Sequence, residues 1–221
     1  MNTTTISRVP SVAAAKQEAE PLFRSAHAAL TFALNYSMQQ YDRPLMNRAM
    51  AGRSSHEGKG LFGTDGAGQA GMIRAELDQL LPIHKAVLIA SVGPWQVPCS
   101  CKVSCCSGWK PNAEWEAAMS QLTTLAAGAA LSGCVSNGRV RSALIQRLLG
   151  AKVTLAEIAE RFDVCERTVT AHSLKIKRWL FGSQGKSEED SKLGLHQEAY
   201  AAITRRLQNG GLVGETNESN K

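Results

Sequence analysis

The stretch TLAEIAERFDVCERTVTAH, Thr154 to His172, leaves few ways to fold. Thr154 is a natural N-cap, and Glu157 three positions on completes a capping box, in which each side chain satisfies a backbone N–H that the first turn leaves unpaired. Leu155, Ile158, Ala159 and Phe162 recur at helical spacing and define one buried face. Ala159 is small where a second helix must cross closely. Asp163 stands where the turn needs a residue with positive φ, which Asp tolerates better than most. Cys165 opens the second helix, a poorer cap than Ser or Thr, and that helix runs to about Leu180. Val164 in the turn and Val169 along the second helix plug the angle between the two. A short helix, a tight turn and a second helix are the parts that set a recognition helix in the major groove of DNA. An ordinary helical hairpin in a core is the plainer alternative.

Charge bears on the choice. The 221 residues carry a formal net charge of +6, and between Arg139 and Gly182 there are nine Lys or Arg against four acids. Most of the excess therefore lies on the helix-turn-helix segment, as a polyanionic partner requires. The positions expected to face double-stranded DNA are Glu166, Arg167, Thr168, Thr170, Ala171, Ser173, Lys175, Lys177 and Arg178, with Val169 and Leu174 turned inward and Ile176 or Trp179 helping. Arg167 suits a bidentate contact to guanine and Glu166 can accept from cytosine. Thr168, Lys175, Lys177 and Arg178 suit phosphates.

The rest of the chain reads as all-α. Residues 1–18 form a loose arm and 19–98 a helical N-terminal region. Its first helix starts at Glu20 or Pro21, with Phe23, Ala26, Leu30, Ala33 and Leu34 on one side, and ends before Pro44. A short helix from Pro44 to Ala51 precedes a Gly-rich loop over 52–68. Gly-Lys-Gly-Leu-Phe-Gly in that loop lacks the spacing of a phosphate-binding loop. A helix runs from Asp65 or Gly66 to Leu81, and Pro82 starts another to Val92, although its β-branched residues would also suit a strand. Residues 99–112 form a cysteine loop. The region 113–182 begins with a helix capped by Asn112 or Pro111, lined by Trp115, Met119, Leu122, Leu125 and Ala129. A helix from Arg139 to Leu149, capped by Ser136 or Asn137 and closed by Gly150, supplies the third helix of the DNA-binding unit. Residues 183–194 are a polar linker. In 195–221, Leu195, Ala199, Ala202, Ile203 and Leu207 line one face of a helix from 195 to 208, and 209–221 lack structure. That helix could pack on the domain, dock on a partner, or join two chains as a homodimer.

Four of six cysteines crowd into Cys99-Ser-Cys101-Lys-Val-Ser-Cys105-Cys106. Four thiolates are the complement of a structural zinc site, and dense cysteines in a reducing compartment point to metal before disulfides. The spacing is not that of two C-x₂-C knuckles. Adjacent Cys105 and Cys106 rarely both reach one ion, so one is a candidate spare, with His84 or a water completing the shell; a redox-sensitive thiol cluster is the alternative to zinc. Cys134 and Cys165 read as packing residues.

No run of about 18 apolar residues would span a membrane, and the N-terminus lacks the apolar core of a secretory signal, so the expected location is the cytoplasm, without a membrane partner. Five histidines are scattered singly, and no nucleophile–base set or carboxylate pair shares a motif. An enzyme is not expected.

Residues 154–180 resemble the DNA-reading helices of region 4 at the C-terminus of bacterial sigma factors, through the run from Thr154 to Phe162, then Val164, Arg167, Thr168 and Val169, then the basic run from Lys175 to Leu180. The other sigma regions are missing. The wider layout of residues 20–182 is similar to phage and prophage late-gene regulators of the antitermination Q type, which the block from Asp65 to Arg74 and the stretch from Cys99 through Trp115 also resemble. The resemblance implies a protein that binds a DNA element near a late promoter, joins RNA polymerase and its sigma factor at an early pause, and carries it through terminators. One branch of that type holds zinc with two C-x₂-C pairs, from which C-x-C and Cys105-Cys106 depart. A promoter-bound activator or repressor, and a zinc-stabilised interaction module that never touches DNA, are the other functions these residues allow.

Overall fold

The computed structural model describes residues 21–36, 63–99, 101, 103, 106–183 and 192–214. Among them are eight helices: α1 (Ala26–Asn35), α2 (Gly63–Asp78), α3 (Pro82–Val92), α4 (Ala113–Ala129), α5 (Gly138–Leu148), α6 (Leu155–Arg161), α7 (Glu166–Phe181) and α8 (Leu195–Asn209). Two short strands, β1 (Gln96–Pro98) and β2 (Trp109–Pro111), pair antiparallel between α3 and α4. The fold is mostly helical, as expected, and the small two-stranded sheet is an addition to it. None of these helices is long and apolar enough to cross a membrane. The expected arm at 1–18, the helix at 44–51, the loop from 52 to 62 and the linker from 184 to 191 lie outside the described residues.

The centre of the fold is α3, where Ala86, Val87, Leu88, Ile89 and Ala90 are all buried in succession. A helix apolar all round must be covered all round, and α4, α8 and α1 pack against it, with α2 touching it more lightly. That burial explains why its β-branched run looked compatible with a strand. Leu81 precedes Pro82, which occupies the first turn as expected.

The first helix begins later than its apolar spacing predicts. Ser25 caps α1 by accepting from the Ala28 N–H at 3.2 Å. Ahead of it Phe23 donates its N–H to Leu212 O at 3.0 Å and bridges Val213 in parallel. Phe23, Leu212 and Val213 are buried, which also corrects the structureless tail as far as Val213. Helix α2 starts at Gly63, two residues ahead of the expected Asp65, and ends at Asp78 rather than Leu81; Asp65 lies in its first turn, where the helix dipole favours an acid.

The amphipathic C-terminal helix packs on its own domain. Leu195, Ala199, Ile203 and Leu207 are buried, and α8 lies against α3, α7, α2 and α1. Arg206 reaches Glu76 Oε2 at 2.7 Å and also bonds Gln79. The apolar face that could have joined two chains is therefore covered within one.

Helix α4 carries the chain from α3 to α5. Asn112 caps it by accepting from the Glu114 N–H, and the Trp115 indole donates to Ala90 O at 3.2 Å. Its inward face holds Ala118, Met119, Leu122 and Ala126; Leu125, expected inside, is exposed because the helix is turned toward α3 and α5.

Candidate functional site

Helices α5, α6 and α7 pack on one another, and local sequence rules explain each end. Asn137 caps α5, and Gly150 follows it at φ 113°, a backbone shape that favours glycine. Thr154 and Glu157 form both bonds of the capping box on α6, at 3.2 and 2.8 Å. Asp163 turns the chain at φ 51°, the one non-glycine residue in the left-handed region among those described. Cys165 precedes α7 without a capping bond from its side chain. Val169 is fully buried, and Val164 and Phe162 pack against the same core. α7 extends one residue past Leu180.

Val169, His172, Ser173, Ile176 and Leu180 make the buried stripe of α7. Two site expectations reverse here. Ser173, assigned to DNA, is buried, and Leu174, assigned to the core, is 54 % exposed. Hydrophobicity misleads by one residue because polar His172 and Ser173 sit inside while an aliphatic side chain sits outside. Of the other positions singled out, Glu166, Arg167, Thr168, Ala171, Lys175, Lys177 and Arg178 are exposed and Thr170 is half-buried. Arg167, Ala171, Leu174 and Arg178 follow the i, i+4, i+7, i+11 rhythm that aligns one helical face, opposite the buried stripe. Leu174 belongs to that face; its seven-residue spacing from Arg167 was the available signal.

The cations of this region divide by use. Arg141 is consumed by structure, donating to Thr123 O, Ser136 O and Ser136 Oγ at 3.0, 2.9 and 2.7 Å. Lys175 Nζ lies 3.0 Å from Cys134 Sγ, so Cys134 has a polar neighbour beyond simple packing. Among the described residues the ion pairs are Arg74–Glu114, Lys85–Asp78, Arg206–Glu76 and the His84–Glu198 contact, all away from α6 and α7. Among the described residues the exposed basic side chains of α7 therefore have no carboxylate partner.

Burial, with the Lys175 and Arg141 charges adding to it, holds the His172 imidazole below its ordinary value of 6.5. Burial, with a smaller push from His27, does the same to His196 on α8. Both rings are neutral in the folded chain at neutral pH, whereas the unfolded chain takes up their protons near 6.5. Stability from this source is full above about pH 6.5 and is lost as pH falls through 6.5 toward the depressed folded values. Thermal melts should show a lower Tm at pH 5.5 than at 7.5, with the difference reduced when His172 and His196 are both changed to Gln. An equal drop in that double variant would show that other groups carry it.

The cysteine loop is held by the small sheet, in which Gln96, Val97 and Pro98 face Pro111, Lys110 and Trp109. The Cys99 N–H extends the pairing to Gly108 O at 2.8 Å, and Gly108 turns at φ 79°. The Gly108 N–H points to Cys106 Sγ at 3.4 Å, and the Cys106 N–H donates to Val103 O at 3.0 Å. This brings Cys99, Cys101 and Cys106 together, their sulfurs all within 4.8 Å of one another. Thiolates on one tetrahedral ion with metal–sulfur bonds of about 2.3 Å stand roughly 3.8 Å apart, so the three could hold a metal ion with little movement. A backbone hydrogen bond at Val103, joined by the Cys106 and Cys99 thiols, lowers the Cys101 thiol. At Cys99 the Cys101 backbone lowers the thiol, but the Cys101 and Cys106 side chains and slight burial outweigh it, and the net shift is upward. Cys105 lies outside the described residues. His84 does not join the cluster; it faces Glu198 at 3.8 Å.

Comparison of the chain with protein-family models, characterised proteins and solved structures gives no match.

Proposed function

We propose that the protein is a sequence-specific DNA-binding regulator of transcription in which α6 and α7 act as a helix-turn-helix. The observation that carries this reading is the outer face of α7, where Arg167, Ala171, Leu174 and Arg178 align, Lys175 and Lys177 flank them, and no carboxylate neutralises these cations among the described residues. Set into a major groove, Arg167 bonds a guanine edge, Ala171 lets the helix approach closely, and Leu174 packs on a thymine methyl. Thr168, Lys175, Lys177 and Arg178 reach phosphates, and Glu166 accepts from cytosine. Arg167→Ala should cost about 1–3 kcal/mol of binding and relax preference at one base position. Binding measured across single-base variants of a selected site reads this out, and an unchanged preference profile would remove Arg167 from base reading.

The regulator is of the antitermination kind, loading on RNA polymerase after DNA binding, as the likeness of its helix-turn-helix and cysteine loop to phage late-gene regulators suggests. Transcription with purified bacterial polymerase through a terminator, on a template carrying the selected site, tests this step. Increased read-through supports it; altered initiation alone would make the protein a promoter-bound activator or repressor.

Zinc is the ion that three or four thiolates in this loop suit best, with Cys99, Cys101 and Cys106 as ligands and Cys105 as the fourth candidate. Its role is structural, because a two-stranded sheet of this size gains little from its own apolar surface. Cys99→Ser with Cys106→Ser should remove about one zinc per chain and change the emission of Trp95 and Trp109, which are exposed at the hairpin. Unchanged zinc content would place the metal elsewhere or nowhere.

A further inference from the structure

The group formed by Cys99, Cys101 and Cys106 is all thiol, and its sulfurs lie within 4.8 Å of one another. Sulfurs this close can share an ion, or two of them can join in a covalent bond, and the second use removes ligands from the first. The three differ in access. Cys101 is exposed, whereas Cys99 and Cys106 are half-buried. Oxidation falls first on the accessible thiolate.

The backbone decides which sulfur pairs with Cys101. Cys99 continues β1, its N–H bonded to Gly108 O at 2.8 Å. On an extended chain, residues two apart stand roughly 7 Å from each other, past the usual disulfide range of about 4.4–6.8 Å. Cys106 approaches from the other side of the loop. Its N–H donates to Val103 O at 3.0 Å, which turns the chain back toward Cys101.

We infer that peroxide converts this loop from a metal-holding form to a Cys101–Cys106 disulfide, which expels the ion. The expulsion rests on the zinc assignment above. The Cys101 thiolate attacks one peroxide oxygen, so that an S–O bond forms, the O–O bond breaks and hydroxide departs. The Cys106 thiolate then attacks the Cys101 sulfenic sulfur, forming the S–S bond and releasing the second hydroxide. Each hydroxide takes a proton from solvent, so one peroxide becomes two waters as two thiolates give up two electrons. Asn112 ties the hairpin to the body through Pro94 O at 2.7 Å and Trp95 O at 3.0 Å. The helices therefore persist, and the change stays within the loop.

The test treats the reduced full chain with hydrogen peroxide, then reads released zinc with a chromogenic chelator and tryptic peptides by mass spectrometry. Cleavage after Lys102 separates Cys99 and Cys101 from Cys105 and Cys106. A bond across the cut holds two peptides together, and a bond within either pair does not. Wild type should release about one zinc per chain and give the joined peptides, with unchanged helical circular dichroism and with recovery on dithiothreitol and zinc. Cys106→Ser should abolish the joined peptides and leave a Cys101 sulfenic acid that dimedone traps. Zinc retained under peroxide with all thiols reduced would overturn the inference while the zinc assignment stands. Joined peptides that persist in Cys106→Ser, or a bond confined to either pair, would overturn it as well. A reduced chain that holds no zinc would remove the zinc assignment and the expulsion with it.

Discussion

Gly194→Ala should strongly destabilise the described chain. A Cβ at this position would stand 2.5 Å from Leu180 O and closer still to Phe181 C and Gly182 N, all backbone atoms that cannot swing aside. The partner in the crossing is Gly182, which closes α7 at φ 75° and whose own Cβ would meet Lys192 O and, at 2.8 Å, Gly194 N. Ser183 and Lys192 pair beside it, with the Ser183 N–H donating to Lys192 O at 3.2 Å. Two main chains thus pass with no space for a side chain between them. Relief requires shifting α8, which covers α3, α2, α1 and the end of α7. The cost should reach about 3 kcal/mol or more, the upper end for overpacking, which in a chain of this size lowers Tm by roughly 6–12 °C. Gly128→Ala is the matched control: Gly128 lies in α4 with nothing within 4 Å of an added Cβ, and there Ala should stabilise by up to about 1 kcal/mol. Denaturant melts of both variants check the pair; a Gly194→Ala midpoint equal to wild type would mean that the crossing is looser than described.

The second large effect concerns salt. Binding by about six phosphate contacts should make log K fall against log salt with a slope near −5. Changing Lys175, Lys177 and Arg178 together to Ala should flatten the slope by about 3 and weaken binding of all sequences alike. All three are exposed and outside any carboxylate pair among the described residues, so the fold should survive the change. An unaltered slope would mean that these cations do not meet phosphates. The contrast with Arg167 is informative, since a base contact changes preference while a phosphate contact changes affinity uniformly.

Where structure follows from neighbours in sequence, it was legible. The Thr154–Glu157 box, Asp163 in the turn, the Asn112 and Asn137 caps and Gly150 after α5 all obey rules that span a few residues. What escaped depends on distant partners. Phe23 is drawn out of the expected first helix by Leu212 and Val213 near the far end of the chain. The strands beside the cysteines are three residues each, too short for a period-2 pattern to register, and they are drawn together around Cys99 and Gly108. In α7 the phase of burial is set by α5, α6 and α8, which accept His172 and Ser173 and leave Leu174 outside. The crowding of thiols was plain in the sequence; which of them meet was not, because the turn at Gly108 and the Cys106–Val103 bond decide it.

The most direct test of the central claim is selection of duplex DNA from a random pool by the full chain at roughly 0.1 M salt, repeated with Arg167 and Arg178 changed to Ala. The wild-type chain should converge on one site, and the double variant, folded by circular dichroism, should lose that site. No enrichment by the wild-type chain, or the same site enriched by both, would contradict the assignment of α7 as the DNA-reading helix.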